Sequence, residues 1–254
     1  MTFTEAQLMA WLSPVFWPFV RILAVFTSAP IFSSRGFPVR ARILLALWIA
    51  IAAQASLPEM PTVLLNSELA LGALIQQIAV GLTLGFVVRL IFACLEFAGE
   101  LVGAQMGLNY AAFFDPSLGV SASTSARFFA YIGSLVFVVS NGHMVVLLAV
   151  VRSFEVFPVG QGWWESLSHL QIQRLGSELF ATALWMALPM LGMLMFANMV
   201  LGIISRIAPQ MNVFAIGFPV TLTVGLIGML ATLPMLELPM LALLERSIAL
   251  FLQR

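Results

Sequence analysis

Six long apolar stretches dominate the sequence and limit what it can fold into. A helix needs about 20 apolar residues to cross the ~30 Å hydrocarbon layer of a bilayer, and four of the six stretches reach that length without a central charge. Only 9% of the 254 residues are charged, whereas a soluble domain carries about 25%. The sequence therefore predicts an all-α integral membrane protein. The six segments are 8–32, 43–57, 69–95, 128–151, 179–205 and 213–236.

Prolines and polar residues interrupt several of these segments. An interior proline removes a backbone donor and tends to kink a helix, and the fourth segment carries Ser140, Asn141, Gly142 and His143 near its middle. Broken helices are tolerated where protein or a water-filled cavity satisfies the freed backbone groups. We therefore expect kinked or broken helices that face neighbouring protein rather than lipid. The interior prolines are Pro14, Pro18, Pro30, Pro189, Pro219 and Pro234.

The charges indicate a membrane topology and exclude one class of partner. Eleven basic residues, all arginine, balance eleven acidic ones, which argues against a nucleic-acid partner. Arg35, Arg40 and Arg42 cluster in the first loop, and Arg206 follows the fifth segment. The positive-inside rule then places both loops in the cytoplasm and both termini outside. The first ten residues contain no basic residue, so we expect no cleavable signal peptide.

Small residues form a regular pattern after the third segment. Gly99, Gly103 and Gly107 recur every four residues, which puts them on one face of a helix. Such a stripe lets two helices approach closely. Gly99 and Gly103 are therefore candidates for a subunit interface.

The segment that follows, 109–119, breaks the helical pattern. Asp115 and Pro116, followed by Ser117 and Gly119, are typical of a turn. The same segment has two adjacent phenylalanines and only one charge. A loop of this composition is not expected to lie freely in water.

Residues for catalysis or metal binding are scarce. The chain has two histidines, His143 and His169, one cysteine and one aspartate, and no HExxH, GxSxG or Walker-type motif. His143 lacks a second close ligand, so we interpret it as a hydrogen-bonded histidine between helices. The sequence predicts no enzyme activity, no metal and no cofactor.

Arg21 lies near the middle of the first apolar segment. An unpaired cation at that depth costs about 2.5–3.5 kcal/mol, so Arg21 must find a carboxylate, a set of carbonyl groups or water. We expect it to form a functional pair or a contact between subunits.

Several short motifs resemble the FliR family of type III export-gate proteins, and they span residues 16–225. The most specific are APQMNVF at 208–214 and GFPVTLTVG at 217–225. The others are FWP at 16–18 with Arg21, API at 29–31, RGFPVR at 35–40, QMGL at 105–108, FFDP at 113–116, NGH at 141–143, and Ser153 and Phe154 with Pro158.

The resemblance implies a subunit of the flagellar export gate in the bacterial inner membrane, within the basal body. Its partners would be FliP and FliQ, which complete a pore, with FlhB and FlhA beside them and unfolded flagellar proteins as substrates. Residues 1–175 would be FliP-like, and 176–254 a FliQ-like hairpin with a tail. A loop at about 106–119 would plug the pore. The plug residues would be Met106, Gly107, Phe113, Phe114, Asp115, Pro116 and Gly119, and the interface candidates Arg21, Gly99, Gly103, Arg206, Pro209 and Gln210.

Physical reasoning leaves alternatives open to the plug role of this loop and to the export-gate function of the chain. Bulky residues such as Met106, Phe113 and Phe114 can seal a pore by excluding water, but the phenylalanines could equally anchor a loop in a groove. A secondary transporter also has broken helices, although the sequence shows no clear internal repeat. A virulence-injectisome subunit of the SctT type is a further alternative. An intramembrane enzyme would need a nucleophile–base pair that the sequence lacks.

Overall fold

A computed structural model describes residues 5–34, 36–58, 60–61, 68–108, 123–160, 172–210 and 213–252. Every regular element within these ranges is helical, which confirms the all-α class. The α-helices are α1 (Glu5–Ser28), α2 (Pro30–Ser33), α3 (Val39–Ala53), α4 (Glu68–Met106), α5 (Thr124–Val139), α6 (Gly142–Val156), α7 (Ile172–Ile207), α8 (Val213–Thr232) and α9 (Glu237–Leu252). Short 3-10 turns follow α3 at Gln54–Ser56 and α8 at Leu233–Met235.

Five stretches of these helices are long and apolar enough to cross a membrane. They are Trp11–Ser28, Val39–Ser56, Leu69–Met106, Leu175–Ile207 and Ala215–Met235, and α5 with α6 counts as a sixth if the interrupted pair is one span. The predicted integral membrane protein with about six apolar helical segments is thereby confirmed.

The polar interruption in the fourth segment breaks a helix as predicted. α5 ends before Ser140, whose hydroxyl donates to the Val136 carbonyl at 2.6 Å. Asn141 then has φ of +57°, a left-handed conformation that asparagine tolerates better than most residues. α6 restarts at Gly142.

The prolines divide into two groups. Pro30 begins α2, and Pro234 lies in the 3-10 turn after α8, so helix breaks occur at both. Four prolines instead lie inside helices that continue through them: Pro14 and Pro18 in α1, Pro189 in α7 and Pro219 in α8.

The chain forms two compact units that interleave along the sequence. The first unit consists of Met1–Leu90, Asn141–Leu175 and Leu244–Arg254, and the second of Ile91–Ser140 and Gly176–Leu243. One change of unit, at 175/176, coincides with the expected division between a FliP-like and a FliQ-like part. The chain also changes unit at 90/91, 140/141 and 243/244. The likeness of each part to FliP or FliQ stays a prediction.

In the first unit, α1 packs along α3 and against α4. Trp17, Val25 and Phe26 of α1 are buried. A Cβ at Gly81 of α4 would lie 2.5 Å from the Arg21 carbonyl oxygen, so the two helix backbones meet here with no room for a side chain.

In the second unit, the end of α4 packs against α5 and α8. Leu95 and Val102 of α4 are buried, as is Phe129 of α5. The Leu95 side chain lies against Gly133 of α5. α4 is therefore the element that positions the base of the predicted plug.

Large apolar side chains remain exposed on several helices. Trp48 of α3, Trp185 and Phe196 of α7, and Leu230 of α8 are each more than 60% exposed. Apolar faces of this extent fit a lipid or protein environment rather than water.

Candidate functional site

Arg21 is completely buried inside the first unit. Its Nε donates to Gln77 Oε1, its Nη1 to Ser153 Oγ and its Nη2 to the Phe157 carbonyl oxygen, each at 2.8 Å. The guanidinium carbon also lies 3.5 Å from the centroid of the Phe154 ring, which adds a cation–π contact. One cation thus joins α1, α4, α6 and the residues just after α6.

A second glutamine, Gln76, bonds the residues that follow Phe157. Gln76 Nε2 donates to the Pro158 carbonyl at 2.9 Å, and Gln76 Oε1 accepts from the Gly160 amide at 2.8 Å. Gly160 has φ of +84°, a conformation that favours glycine. Together, Gln76 and Arg21 fix the chain at 157–160.

The role of Arg21 in a contact between subunits stays a prediction. Within this chain its side chain has no exposed surface and donates to Gln77, Ser153 and Phe157. Within the described part of the chain these acceptors are neutral oxygens rather than a carboxylate. The expectation that Arg21 needs compensating acceptors, carbonyl oxygens among them, holds.

The second site is the end of α4, where the predicted plug begins. α4 ends at Met106, and Gly107 has φ of +81°. The Gly107 amide donates to the Ala104 carbonyl at 3.2 Å and the Leu108 amide to the Gly103 carbonyl at 3.1 Å. This pair of bonds is a Schellman motif. Gly107 therefore terminates a helix, and its conformation is the reason that a glycine is needed there.

Met106 itself is buried against α8 in the second unit. Its side chain is 1% exposed and lies on Gly225, where an added Cβ would come within 2.5 Å of Met106 Sδ. The Thr221 hydroxyl donates to the Met106 carbonyl at 3.1 Å. The first residue of the predicted plug is thus held by both its side chain and its backbone.

Ser123, the residue before α5, contacts α4. The Ser123 amide donates to Glu100 Oε1 at 2.9 Å, and its hydroxyl accepts from the Ala126 amide at 3.2 Å. The second bond caps the amino end of α5. Met106 and Ser123 therefore anchor the two flanks of 109–122. The predicted plug residues Phe113, Phe114, Asp115, Pro116 and Gly119 lie outside the described residues.

The small-residue stripe packs within the chain. A Cβ at Gly99 would lie 2.7 Å from the Ala126 Cα, and Gly103 faces the Ser125 hydroxyl. The predicted close approach of two helices is confirmed. Within this chain, the residues at the start of α5 face Gly99 and Gly103, and the assignment of the two glycines to a subunit interface stays a prediction.

Comparison with known proteins decides the family. The profile described as "Bacterial export proteins, family 1" matches residues 12–247. The chain is 39% identical to the flagellar biosynthetic protein FliR of Escherichia coli strain K12, over 92% of this chain and 89% of that protein. The chain belongs to the FliR family of bacterial export proteins.

Other relatives carry the same name. The FliR protein of Pectobacterium carotovorum is 38% identical over 93% of this chain and 90% of its own length. That of Bacillus subtilis strain 168 is 29% identical over 82% of each chain. With its apolar spans, this FliR-family chain is a membrane subunit of the flagellar export apparatus.

The other interface candidates lie at the end of α7, and His143 lies in α6. Arg206, Pro209 and Gln210 are exposed at the end of α7, and their role as interface residues stays a prediction. Nδ1 of His143 is buried with no hydrogen-bond partner within the described ranges, so the expected bond is missing at that nitrogen. No group of three potential metal ligands occurs among the residues that the structure describes.

Sequence patterns did not single out Gln76 or Gln77, and they gave Ser153, Thr221 and Gly225 only as members of family motifs, without a role. A usable signal existed for the glutamines, because two adjacent amides inside a long apolar helix are costly to bury without partners. They could have been matched with Arg21. The roles of Thr221 and Gly225 have no such signal, since small residues are common in membrane helices.

Proposed function

We propose that this chain forms, with FliP and FliQ, the pore through which unfolded flagellar proteins cross the inner membrane. FlhB and FlhA are the further partners, and the segment 106–119 plugs the pore. The proposal rests chiefly on the geometry at the end of α4. There, Met106 accepts a hydrogen bond from Thr221 of α8, and Ser123 donates one to Glu100 of α4. These bonds fix both flanks of a short, nearly uncharged segment.

The chemistry of that segment suits a seal. Phe113 and Phe114 are large and apolar, and Asp115 is the only charge between Glu100 and Arg127. Apolar residues at a constriction exclude water and ions without binding a passing polypeptide tightly. A plug on fixed flanks can close the pore and return to the same place after a substrate passes.

Exposed apolar surface supports assembly with other subunits. Trp48 on α3 and Ile207 at the end of α7 are 69% and 78% exposed. Near Ile207, Arg206 and Gln210 offer polar side chains, and Pro209 is exposed between them. FliP and FliQ would cover these faces.

The transporter alternative is less well supported. A secondary transporter binds its substrate or ion at buried polar groups near the middle of the membrane. Arg21 is the buried cation of the described first unit, and Gln77, Ser153 and Phe157 already occupy its donors. It is therefore not available to a solute.

Co-expression tests the assembly. The chain with an affinity tag is expressed alone, with FliP and FliQ from the same genome, or with an unrelated membrane protein of similar size. We expect one stable complex containing all three proteins, and a protease-sensitive chain when it is expressed alone, because its exposed apolar faces then lack partners. A protease-resistant monomer that recovers neither FliP nor FliQ would contradict the proposal.

A further inference from the structure

Of the five apolar spans in the described residues, the one formed by α3 is the least buried. Only 11% of Val39–Ser56 is buried within the chain, whereas 44% of Trp11–Ser28 and 56% of Leu69–Met106 are. One side of α3 does pack inside, because Ala46 and Ala50 are completely buried. The other side of α3 is therefore open to lipid or to another molecule.

Two arginines lie in the first turn of this span. Arg40 is exposed and Arg42 is partly exposed. Long side chains of a helix point back toward its amino end, and an arginine near the end of a span can place its charge at the headgroups while its stem lies on apolar surface. Arg42 follows this direction, since its Nη2 lies 3.5 Å from the carbonyl oxygen of Phe37, before the helix begins. Arg40 starts two residues closer to the end of the span.

No acidic residue lies close to these two charges in the sequence. Residues 6–58 contain four arginines and no acidic residue, and Arg21 is already held by its own acceptors. Arg42 Nε is buried and has no hydrogen-bond partner among the described residues, and the bond from its Nη2 is long. A planar guanidinium matches the oxygens of a phosphate group. The amino end of α3 therefore complements a phosphate.

The apolar surface beside Arg40 fits an acyl chain. Ile43 and Leu47 are four residues apart, so they share one face of α3, and they are 41% and 38% exposed. Arg40 and Ile43 are three residues apart and hence neighbours on the helix surface. Trp48 lies about 100° around the helix from Leu47, so its own face stays open to FliP or FliQ.

We propose that the amino end of α3 binds an anionic phospholipid, with its phosphate at Arg40 and Arg42 and an acyl chain along Ile43 and Leu47. An anionic headgroup fits better than a zwitterionic one, because two arginines without a carboxylate nearby in the sequence repel a choline cation. The positive-inside rule directs this end of α3 to the cytoplasm, where the leaflet carries anionic lipids. The site requires neither the pore nor the plug.

Lipid titration tests the site. The full chain is purified in detergent, alone and with FliP and FliQ, and titrated with phosphatidylglycerol or with phosphatidylcholine of the same acyl chains. Bound lipids are counted by native mass spectrometry. We expect phosphatidylglycerol to bind more tightly. Arg40→Gln should weaken its binding about fivefold, and Arg40→Gln with Arg42→Gln about 25-fold, while phosphatidylcholine binds as before.

Three further variants separate charge from apolar contact. Arg40→Lys with Arg42→Lys keeps both charges and should retain most of the preference for phosphatidylglycerol. Leu47→Ser should weaken both lipids alike, because they share the acyl chain. Arg152→Gln, the matched control, removes an exposed arginine of α6 and should bind both lipids like the wild type.

Two results would overturn the lipid site directly. One is equal affinity of the wild type for the two lipids, and the other is unchanged phosphatidylglycerol binding by a folded double variant. Inorganic phosphate that displaces phosphatidylglycerol at equal concentration would also overturn it, since the site would then hold a free anion. Should the double variant not fold, Arg40→Gln decides, because Arg40 is exposed and its loss leaves the packing of α3 on α1 intact.

An acidic face of a partner subunit is the competing occupant. If the double variant no longer recovers FliP or FliQ, and the chain alone binds phosphatidylglycerol as before, the arginines pair with carboxylates of a subunit and the lipid site is wrong. Failure of the wild type to assemble would contradict the proposed function alone, because the titration of the isolated chain still measures the lipid preference.

Discussion

At the scale of single residues, Arg21 shows how neutral acceptors, the ones that the described residues provide, can hold a charge in an apolar interior. Its guanidinium is matched by an amide oxygen, a hydroxyl, a backbone carbonyl and an aromatic face. A planar group with five donors can reach several acceptors at once, which a lysine ammonium does less well. Arg21 therefore links three helices of the first unit.

Removing this cation should destabilise the protein. Arg21→Ala leaves buried oxygens of Gln77, Ser153 and Phe157 without their donor, and each buried polar group left unsatisfied costs about 1–3 kcal/mol. We expect a clear loss of thermal stability in detergent, with Arg21→Lys recovering part of it. Arg152→Ala, an exposed arginine beside Ser153 on α6, should behave like the wild type. Equal melting of the Arg21→Ala and Arg152→Ala variants would refute the buried cluster.

The partners of Arg21 could not be predicted from the sequence, although its need for them could. They lie 56, 132 and 136 residues away along the chain. Apolar periodicity carries no information about which polar groups meet across that distance. The cost of burying a cation is local and could be predicted, but the identity of its acceptors depends on helix packing.

At the scale of elements, the apolar segments predicted the existence of helices better than their ends. Segment 69–95 is one part of α4, which continues through Glu96 and Glu100 to Met106. The helix ends where Gly107 adopts a positive φ rather than where charges appear. α9 was expected only as a tail, because Glu245 and Arg246 interrupt its apolar pattern.

The crossing of α4 and α5 gives an element-scale prediction. At Gly99, a Cβ would meet the Ala126 Cα at 2.7 Å and the Ser125 carbonyl at 2.9 Å, so backbone would have to move. Gly99→Ala should cost about 1–3 kcal/mol, measured as a lower melting temperature of the purified complex. Gly202→Ala is the control, since its Cβ meets open space. A Gly99→Ala complex that melts like the control would show that α4 and α5 do not cross this closely.

At the scale of the whole molecule, the chain is a membrane protein whose two compact units interleave. The change of unit inside α4 was not predictable, because a continuous helix carries no sequence signal of a boundary. Exposed apolar faces extend over both units. They match the account of a subunit that works inside a larger membrane assembly.

Ion conductance of the assembled complex tests the central claim most directly. The chain is purified with FliP and FliQ, reconstituted in liposomes, and compared with the Phe113→Ala and Phe114→Ala double variant. Truncating both rings removes the apolar bulk that excludes water, so we predict a tight wild-type complex and a conducting double variant with the same subunit composition. A double variant that assembles normally and stays as tight as the wild type would contradict the plugged-pore account.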